Sequence, residues 1–395
     1  MKVLHVCTHD QGGAAVAALR LHEALKQNGV TSKFLVLYRS DFNNDSIEFK
    51  PSRFGFFFRR VKAKVFRLFG KKKQDLSGFE VFSSPNTIYD VRKSTEYQQA
   101  DIIHLHWVAN FVDFGTFFPH VTKPIVWTFH DLNPILGGFH YLIDKNNADT
   151  HLSEMEHQYS LVKREYLNNR AVHVIAPCEW MKQMAVESGI QFASVRKINY
   201  CVNTSIFRFL SKTEARINLG LPQDKHLFLC VASDINVERK GFRHILYLAD
   251  EFEENQGVTF LVVGKSATEF NRKNIDFIGV VSEPELLRAY YAAADALLLP
   301  SEEDNLPNVM LEAQCVGCPA IGFKVGGIID VITSGVNGLL ANQVSSEGFL
   351  SALASFLEGK YLPNRELIAK TAQTLFSEKK ISGEVTNLYK TIIKV

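Results

Sequence analysis

Apolar runs of strand length alternate along this chain with segments of helical period, from the first residues almost to the last. That alternation is the pattern of parallel α/β sheets. In the first half it predicts strands over Val3 to Cys7, Phe34 to Tyr38, Ile102 to His106, Ile125 to Phe129 and Val172 to Ala176. In the second half it predicts Leu227 to Ala232, Thr259 to Gly264, Asp276 to Val280, Ala296 to Leu299 and Pro319 to Phe323. Tyr200 to Glu214 carries neither period strongly and marks a boundary, giving Rossmann-like α/β domains at 1–204 and 205–377. Residues 378–395 read as a terminal helix able to pack on either domain. At 395 residues, two domains of about 200 each are the natural size.

Composition narrows the class. The chain is 46% hydrophobic and 22% charged, with a formal net charge of +2, which argues against a nucleic-acid binder. No run approaches the roughly eighteen apolar residues that span a bilayer. The first strand begins within Met1 to Cys7 and leaves no room for a signal peptide. Of six cysteines only Cys315 and Cys318 have C-x-x-C spacing, without the second pair of a zinc site. Gly317 and Pro319 place that pair in a tight turn, so packing is its expected role, and reduced thiols point to the cytoplasm.

The first strand is followed by Thr8-His9-Asp10-Gln11-Gly12-Gly13, without the G-x-G-x-x-G of dinucleotide enzymes, and no acid closes the second strand. Gly12 and Gly13 still let the backbone approach a ligand at the start of the Ala14 to Gln27 helix.

The most informative run is Ser301 to Glu312. It follows the apolar Ala296 to Pro300, and Pro307 suits a first helical turn that Asn305 or Asn308 could cap. Asp304 then lies on a strand-end loop and Glu312 inside a helix. Ligands of open α/β sheets bind outside the carboxyl ends of strands, where helix N-termini favour anions and carboxylates accept from hydroxyls. Alone, two such acids are equally well solvated surface groups. Arg239-Lys240-Gly241 opens another helix-period segment after a strand, placing two cations beside a glycine, an arrangement that suits a diphosphate. Lys324-Val325-Gly326-Gly327 follows the last central strand, and Asn337-Gly338-Leu339-Leu340 reads as a turn and short strand.

Together these pieces resemble the family-4 retaining glycosyltransferases of GT-B fold, in which two Rossmann-like domains face a central cleft. That family has, in this order, a Lys-Gly before a helix (here Lys240-Gly241), an acid-x7-acid motif (here Asp304 to Glu312) and a glycine tail (here Gly326-Gly327 to Leu340). The resemblance covers nearly the whole chain, since Gly12, Gly13 and the strand-end His130 also stand where the family has substrate-side groups. It implies a nucleotide-sugar donor whose ribose hydroxyls meet Glu312 and whose transferred sugar meets Asp304. Amides around Asn305, Leu306 and Pro307 then meet sugar or phosphate, and Lys240, with Arg239, balances the leaving diphosphate. His130 sits beside the anomeric carbon, and attack from the leaving-group face retains configuration without a metal or other cofactor. The chain departs from the family at Ala232-Ser233-Asp234, where many relatives carry Gly-Arg, and at Asp304, where many carry glutamate; Glu302 and Glu303 are adjacent alternatives. Gly137 to Tyr141 resembles an exopolysaccharide or capsule (colanic-acid-type) subgroup, without the cysteine often found at Phe139. His140, His151 and His157 are expected to be ordinary loop or surface histidines.

One segment calls for a different partner. Residues 50–73 hold ten Lys or Arg and six Phe with no acid, and Phe54, Phe57, Phe58, Val61, Val65 and Leu68 recur at helical spacing. That composition suits a helix lying on an anionic membrane surface, or one packing its phenylalanines on the first domain. The expected function is transfer of a sugar to a lipid-linked or polysaccharide acceptor by a cytoplasmic protein held peripherally on the inner membrane face. A soluble acceptor, or a catalytically weak nucleotide-sugar-binding partner subunit, remains the alternative.

Overall fold

The computed structural model describes residues 1–51, 78–255, 257–267 and 272–393. Of the basic aromatic segment 50–73, all but Lys50 and Pro51 lie outside the described residues. The chain divides into two compact units, Met1–Asn199 with Ser382–Val395, and Tyr200–Ile381.

Each unit is built on one parallel sheet. In the first, β1 (Lys2–His9), β2 (Thr31–Tyr38), β3 (Ile47–Glu48), β4 (Ile102–Leu105), β5 (Ile125–Thr128), β6 (Val172–Ala176) and β7 (Ser194–Lys197) run in the order β3-β2-β1-β4-β5-β6-β7. In the second, β8 (His226–Asp234), β9 (Val258–Lys265), β10 (Ile275–Gly279), β11 (Ala296–Leu299), β12 (Ala320–Phe323) and β13 (Gly338–Ala341) run β10-β9-β8-β11-β12-β13. In both, strand order reverses beside the first strand, at β1/β4 and at β8/β11. In open α/β sheets such reversal points are where ligands bind, outside the carboxyl ends of the strands.

The central strands are apolar throughout because helices cover both faces, as β11 (Ala-Leu-Leu-Leu) and β12 show, buried at every position. Edge strands carried less signal. β7 is Ser-Val-Arg-Lys with its last two residues exposed, and β3 is two residues long; neither has the apolar run that marks a strand. The helix Gly13–Gln27 buries Ala15, Ala18, Leu21, His22 and Leu25 along one stripe. The helix Lys212–Leu219 begins inside the stretch read as aperiodic, its buried face amounting to Ala215 and Arg216, and Gly220 in left-handed conformation ends it.

Candidate functional site

In the second unit, three neighbouring strands, β8, β11 and β12, each end in a loop, and the loops lock together. The Glu302 amide donates to the Arg239 carbonyl at 2.9 Å, the Arg239 guanidinium donates to the Glu303 carbonyl at 2.9 Å, and the Gly327 amide donates to the Asn305 carbonyl at 2.5 Å. Two glycines permit this. A Cβ on Gly241 (φ +67) would lie 2.0 Å from the Pro300 carbonyl oxygen, and one on Gly326 (φ +49) 1.6 Å from that of Asp304. Gly241, expected to let a ligand approach, and Gly326 of the glycine tail thus both serve backbone against backbone, with a positive φ that other residues avoid.

The lock brings most of the expected residues together. The Lys240 ammonium lies 2.6 Å from the Asp304 carboxylate, with Arg239 3.9 Å away. Burial pushes the Asp304 carboxyl up, but the charges of Lys240 and Arg239, with hydrogen bonds from Lys240 and Ser301, outweigh it and hold the group below the ordinary carboxylate range. Arg239 is only 6% exposed. Asn305, Leu306 and Pro307 are buried behind Asp304. The helix Asn308–Val316 follows with Pro307 in the cap position, so no side chain caps it and neither asparagine does so. Glu312 is buried within that helix and accepts from the Tyr291 hydroxyl at 2.8 Å. Such a partner is what a buried carboxyl group needs.

Glu302 is engaged elsewhere. It pairs with Arg243 and lies 2.9 Å from His244 Nε2, whose Nδ1 meets the Ser346 hydroxyl at 2.8 Å. The glycine tail is structural: the Asn337 side chain joins the Thr333 amide, the Val331 carbonyl and Gln314, and a Cβ on Gly338 would lie 2.1 Å from the Ala320 carbonyl oxygen. All six cysteines are free and buried.

In the first unit Gly12 has φ +90 and caps the helix Gly13–Gln27, with open space on the side a Cβ would occupy. Asp10, two residues earlier, is buried and accepts from the Ser40 and Asp41 amides, tying the loop after β1 to that after β2. His130 lies two residues beyond β5 and is partly exposed. Its Nε2 is 3.0 Å from His106 Nδ1, and His106 Nε2 is 2.8 Å from His5 Nδ1. His104 joins the same layer, with Nδ1 2.5 Å from the Tyr389 hydroxyl and Nε2 2.8 Å from the Thr128 hydroxyl. His5, His104 and Val126 sit side by side in the sheet register, so one face of β1, β4 and β5 carries all these rings. Burial pushes His104 down to about 3 and His130 to about 4, and places His5 and His106 well below the ordinary imidazole range. Among the described residues, ligand atoms of His5, His104 and His106 lie within 4.8 Å of one another, as do those of His22, Glu23 and Asp45.

A second network was missed entirely. His140, expected on a loop or surface, is 1% exposed. Its Nδ1 lies 2.5 Å from the Asp131 carboxylate, which also accepts from Trp107, and its Nε2 meets Ser83 at 2.9 Å. Nearby, the Glu156 carboxylate accepts from the amides of Gly137, Gly138 and Phe139. His151 and His157 are exposed, as expected. The paired glycines at 137 and 138 were the available signal, because a Cβ on either would collide with Glu156 or Phe82.

Known proteins resemble this chain over most of its length. The model "Glycosyltransferase Family 4" matches residues 11–206 and "Glycosyl transferases group 1" matches residues 225–359, so the two span most of the chain. An uncharacterized 41.2 kDa protein in the cps region of Klebsiella pneumoniae is 22% identical over 323 residues, 80% of this chain and 85% of that protein. D-inositol 3-phosphate glycosyltransferase 2 of Catenulispora acidiphila is 23% identical over 377 residues, 90% and 84% of the two chains. Among solved structures, Anabaena HepE in complex with UDP and glucose superposes with a TM-score of 0.70 at 16% identity, covering 99% of each chain.

Proposed function

Since the chain belongs to the group 1 and family 4 glycosyltransferases of GT-B fold, we propose that it is a retaining, metal-independent enzyme that moves a sugar from a nucleotide-sugar to a lipid-linked or polysaccharide acceptor. The observation that carries this reading is the Lys240–Asp304 pair at the β8/β11 reversal point, with buried Glu312 on the helix that follows. A diphosphate arriving at those loops shares the Lys240 ammonium with Asp304, and its growing negative charge on bond cleavage draws that cation. Asp304, held ionised, accepts from hydroxyls of the sugar, and Glu312, oriented by Tyr291, accepts from ribose hydroxyls. Amides at Asn305, Leu306 and Pro307 meet sugar or phosphate, Gly12 and Gly13 keep backbone open to the donor, and His130 meets the transferred sugar. The UDP and glucose complex of HepE and the capsule-region relative favour a nucleotide-sugar donor and a surface-polysaccharide product. A panel of UDP-, GDP- and ADP-sugars with lipid-linked and soluble acceptors tests this. Transfer with retained anomeric configuration, undiminished by EDTA, is expected; inversion or metal dependence refutes the mechanism.

One observation favours a second reading, a donor-binding partner subunit without turnover. Where relatives carry Gly-Arg, β8 here ends Ala232-Ser233-Asp234, and the Arg239 guanidinium is engaged with the Glu303 carbonyl. Donor binding without transfer to any acceptor in the panel selects that reading.

The basic aromatic composition of residues 50–73 supports a peripheral position on the inner face of the membrane. Among the described residues no helix is long and apolar enough to cross a membrane. Protein with Phe57, Phe58 and Arg60 changed to Ser should stop floating with anionic liposomes; unchanged flotation removes the proposal.

A further inference from the structure

The histidines of the first sheet form a line rather than a cluster. His5 Nδ1 meets His106 Nε2 at 2.8 Å, and His106 Nδ1 meets His130 Nε2 at 3.0 Å, so the line runs from the core to the strand end. The His5 and His106 rings are 5.1 Å apart and 22° from parallel, an edge-to-edge approach that suits an N–H···N bond, while His104 stacks beside His106 at 4.3 Å and 26°. Nitrogens 2.8 Å apart share a hydrogen bond, whereas two imidazole ligands of one metal ion at about 2.0–2.1 Å would stand farther apart. Both His104 nitrogens are also engaged with hydroxyls. The line therefore reads as a hydrogen-bond chain, and a chain of neutral imidazoles has a direction.

Two directions exist, because each neutral ring carries one N–H. If His130 donates toward the core, His106 donates to His5, and His5 must hold its proton on Nε2. That atom is buried and has no hydrogen-bond partner among the described residues. If His5 donates outward from Nδ1, its Nε2 is a bare lone pair instead. Buried N–H groups without a partner are rarer than unpaired acceptors. We infer that His5 and His106 are positioning residues that set a single tautomer of His130, donating outward along the chain so that His130 accepts at Nε2 and carries its own proton on Nδ1. His130 is then a neutral hydrogen-bond donor at Nδ1. A neutral ring that already accepts at Nε2 takes no proton from a bound sugar. The link to sugar transfer rests on the proposed function; the tautomer does not. The depression of all three groups below the usual imidazole range agrees with neutral rings at pH 7.5.

Long-range proton–nitrogen NMR on the full chain, labelled with ¹⁵N-histidine, reads the tautomer directly, with His130 assigned through His130→Gln. The expected wild-type result is a protonated Nδ1 and an unprotonated Nε2 on His130; a proton on Nε2 overturns the inference. His106→Phe removes the donor, and His130 should then show mixed tautomers with kcat a few-fold lower, less than the loss in His130→Ala, and KM unchanged. His106→Gln, which keeps an amide N–H, should restore much of both. A folded His106→Phe protein with an unchanged His130 tautomer also overturns it. Where that variant does not fold, the wild-type spectrum decides. A protein without transferase activity still yields the tautomer, so the two readings fail separately.

Discussion

The two units share the strand order 3-2-1-4-5-6, which β7 extends in the first, yet they line the reversal points of their sheets with opposite chemistry. The second brings an ammonium, a guanidinium and a carboxylate together, and its acid is held ionised by its neighbours. The first lines one face of its strands with imidazoles that burial keeps neutral. A charged site suits a ligand that arrives and leaves charged. A neutral layer offers fixed hydrogen bonds and little field. On the proposed function, the difference separates, within one chain, the job of holding an anion from the job of orienting uncharged hydroxyls.

Acid is the strongest way to break that contrast. A buried neutral histidine has its folded pKa depressed, so above about pH 6.5 it is neutral in both states and adds no pH dependence. As pH falls below 6.5 the unfolded chain takes up protons that the folded one refuses, and stability is lost until the folded value is reached, about 4 for His130 and about 3 for His104. Each histidine costs up to about 1.4 kcal/mol per pH unit in that window. His5 and His106 are depressed in the same direction, so acid acts on this unit through several groups at once. In the second unit the buried depressed carboxyls are Asp304 and Asp295, whose stabilisation is present above about pH 4 and lost only as pH falls below it. All three tryptophans, Trp107, Trp127 and Trp180, lie in the first unit. Their fluorescence should therefore change between pH 6.5 and 4, before the remaining far-UV circular dichroism is lost. Coincident transitions would contradict the contrast.

Side-chain removal should divide the same way. Losing one preorganised charged group costs ~3–4 kcal/mol in a transition state, so Lys240→Ala and Glu312→Ala should each lower transfer by about 10²–10³-fold with near-UV circular dichroism unchanged. His130→Ala removes a neutral donor, worth about 1.4 kcal/mol, and should lower transfer roughly ten-fold. Wild-type rates in Lys240→Ala or Glu312→Ala remove the site assignment. A larger loss at His130 than at Lys240 inverts the comparison.

What was legible in the sequence follows from the same physics. Buried parallel strands are continuous apolar runs, so the ten strands read in the two halves are all present and shift only by a few residues at their ends. The charged site was legible because its parts lie beside glycines and a proline with strong local meaning. The reason for those glycines was not: Gly241 and Gly326 admit neighbouring loops, a contact across 59 residues for Gly241 and Pro300 that no local pattern encodes. Of the imidazole layer only His130 was legible; His104 and His106 stand two residues apart at the end of β4, and His5 joins them only when β1 pairs with β4. His140 misled because its partners, Ser83 and Asp131, come from separate loops.

Each unit also anchors one key group with a buried tyrosine hydroxyl, and this pair gives the finest test. Tyr291 donates to Glu312 at 2.8 Å in the second unit, and the Tyr389 hydroxyl lies 2.5 Å from His104 Nδ1 in the first. Removing either hydroxyl as Phe leaves the ring in place and strands one buried polar atom, at a cost of ~1–2 kcal/mol. The consequences should differ. Tyr291 orients an acid proposed to hold the donor, so Tyr291→Phe should raise the donor KM several-fold with a modest fall in melting temperature. Tyr389 touches a histidine outside the His5–His106–His130 line, so Tyr389→Phe should lower the melting temperature of the first unit and leave kcat and KM unchanged. Kinetics and tryptophan-detected melting on the two variants read both effects. Equal kinetic losses would mean that the two units do not divide the work as their chemistry indicates.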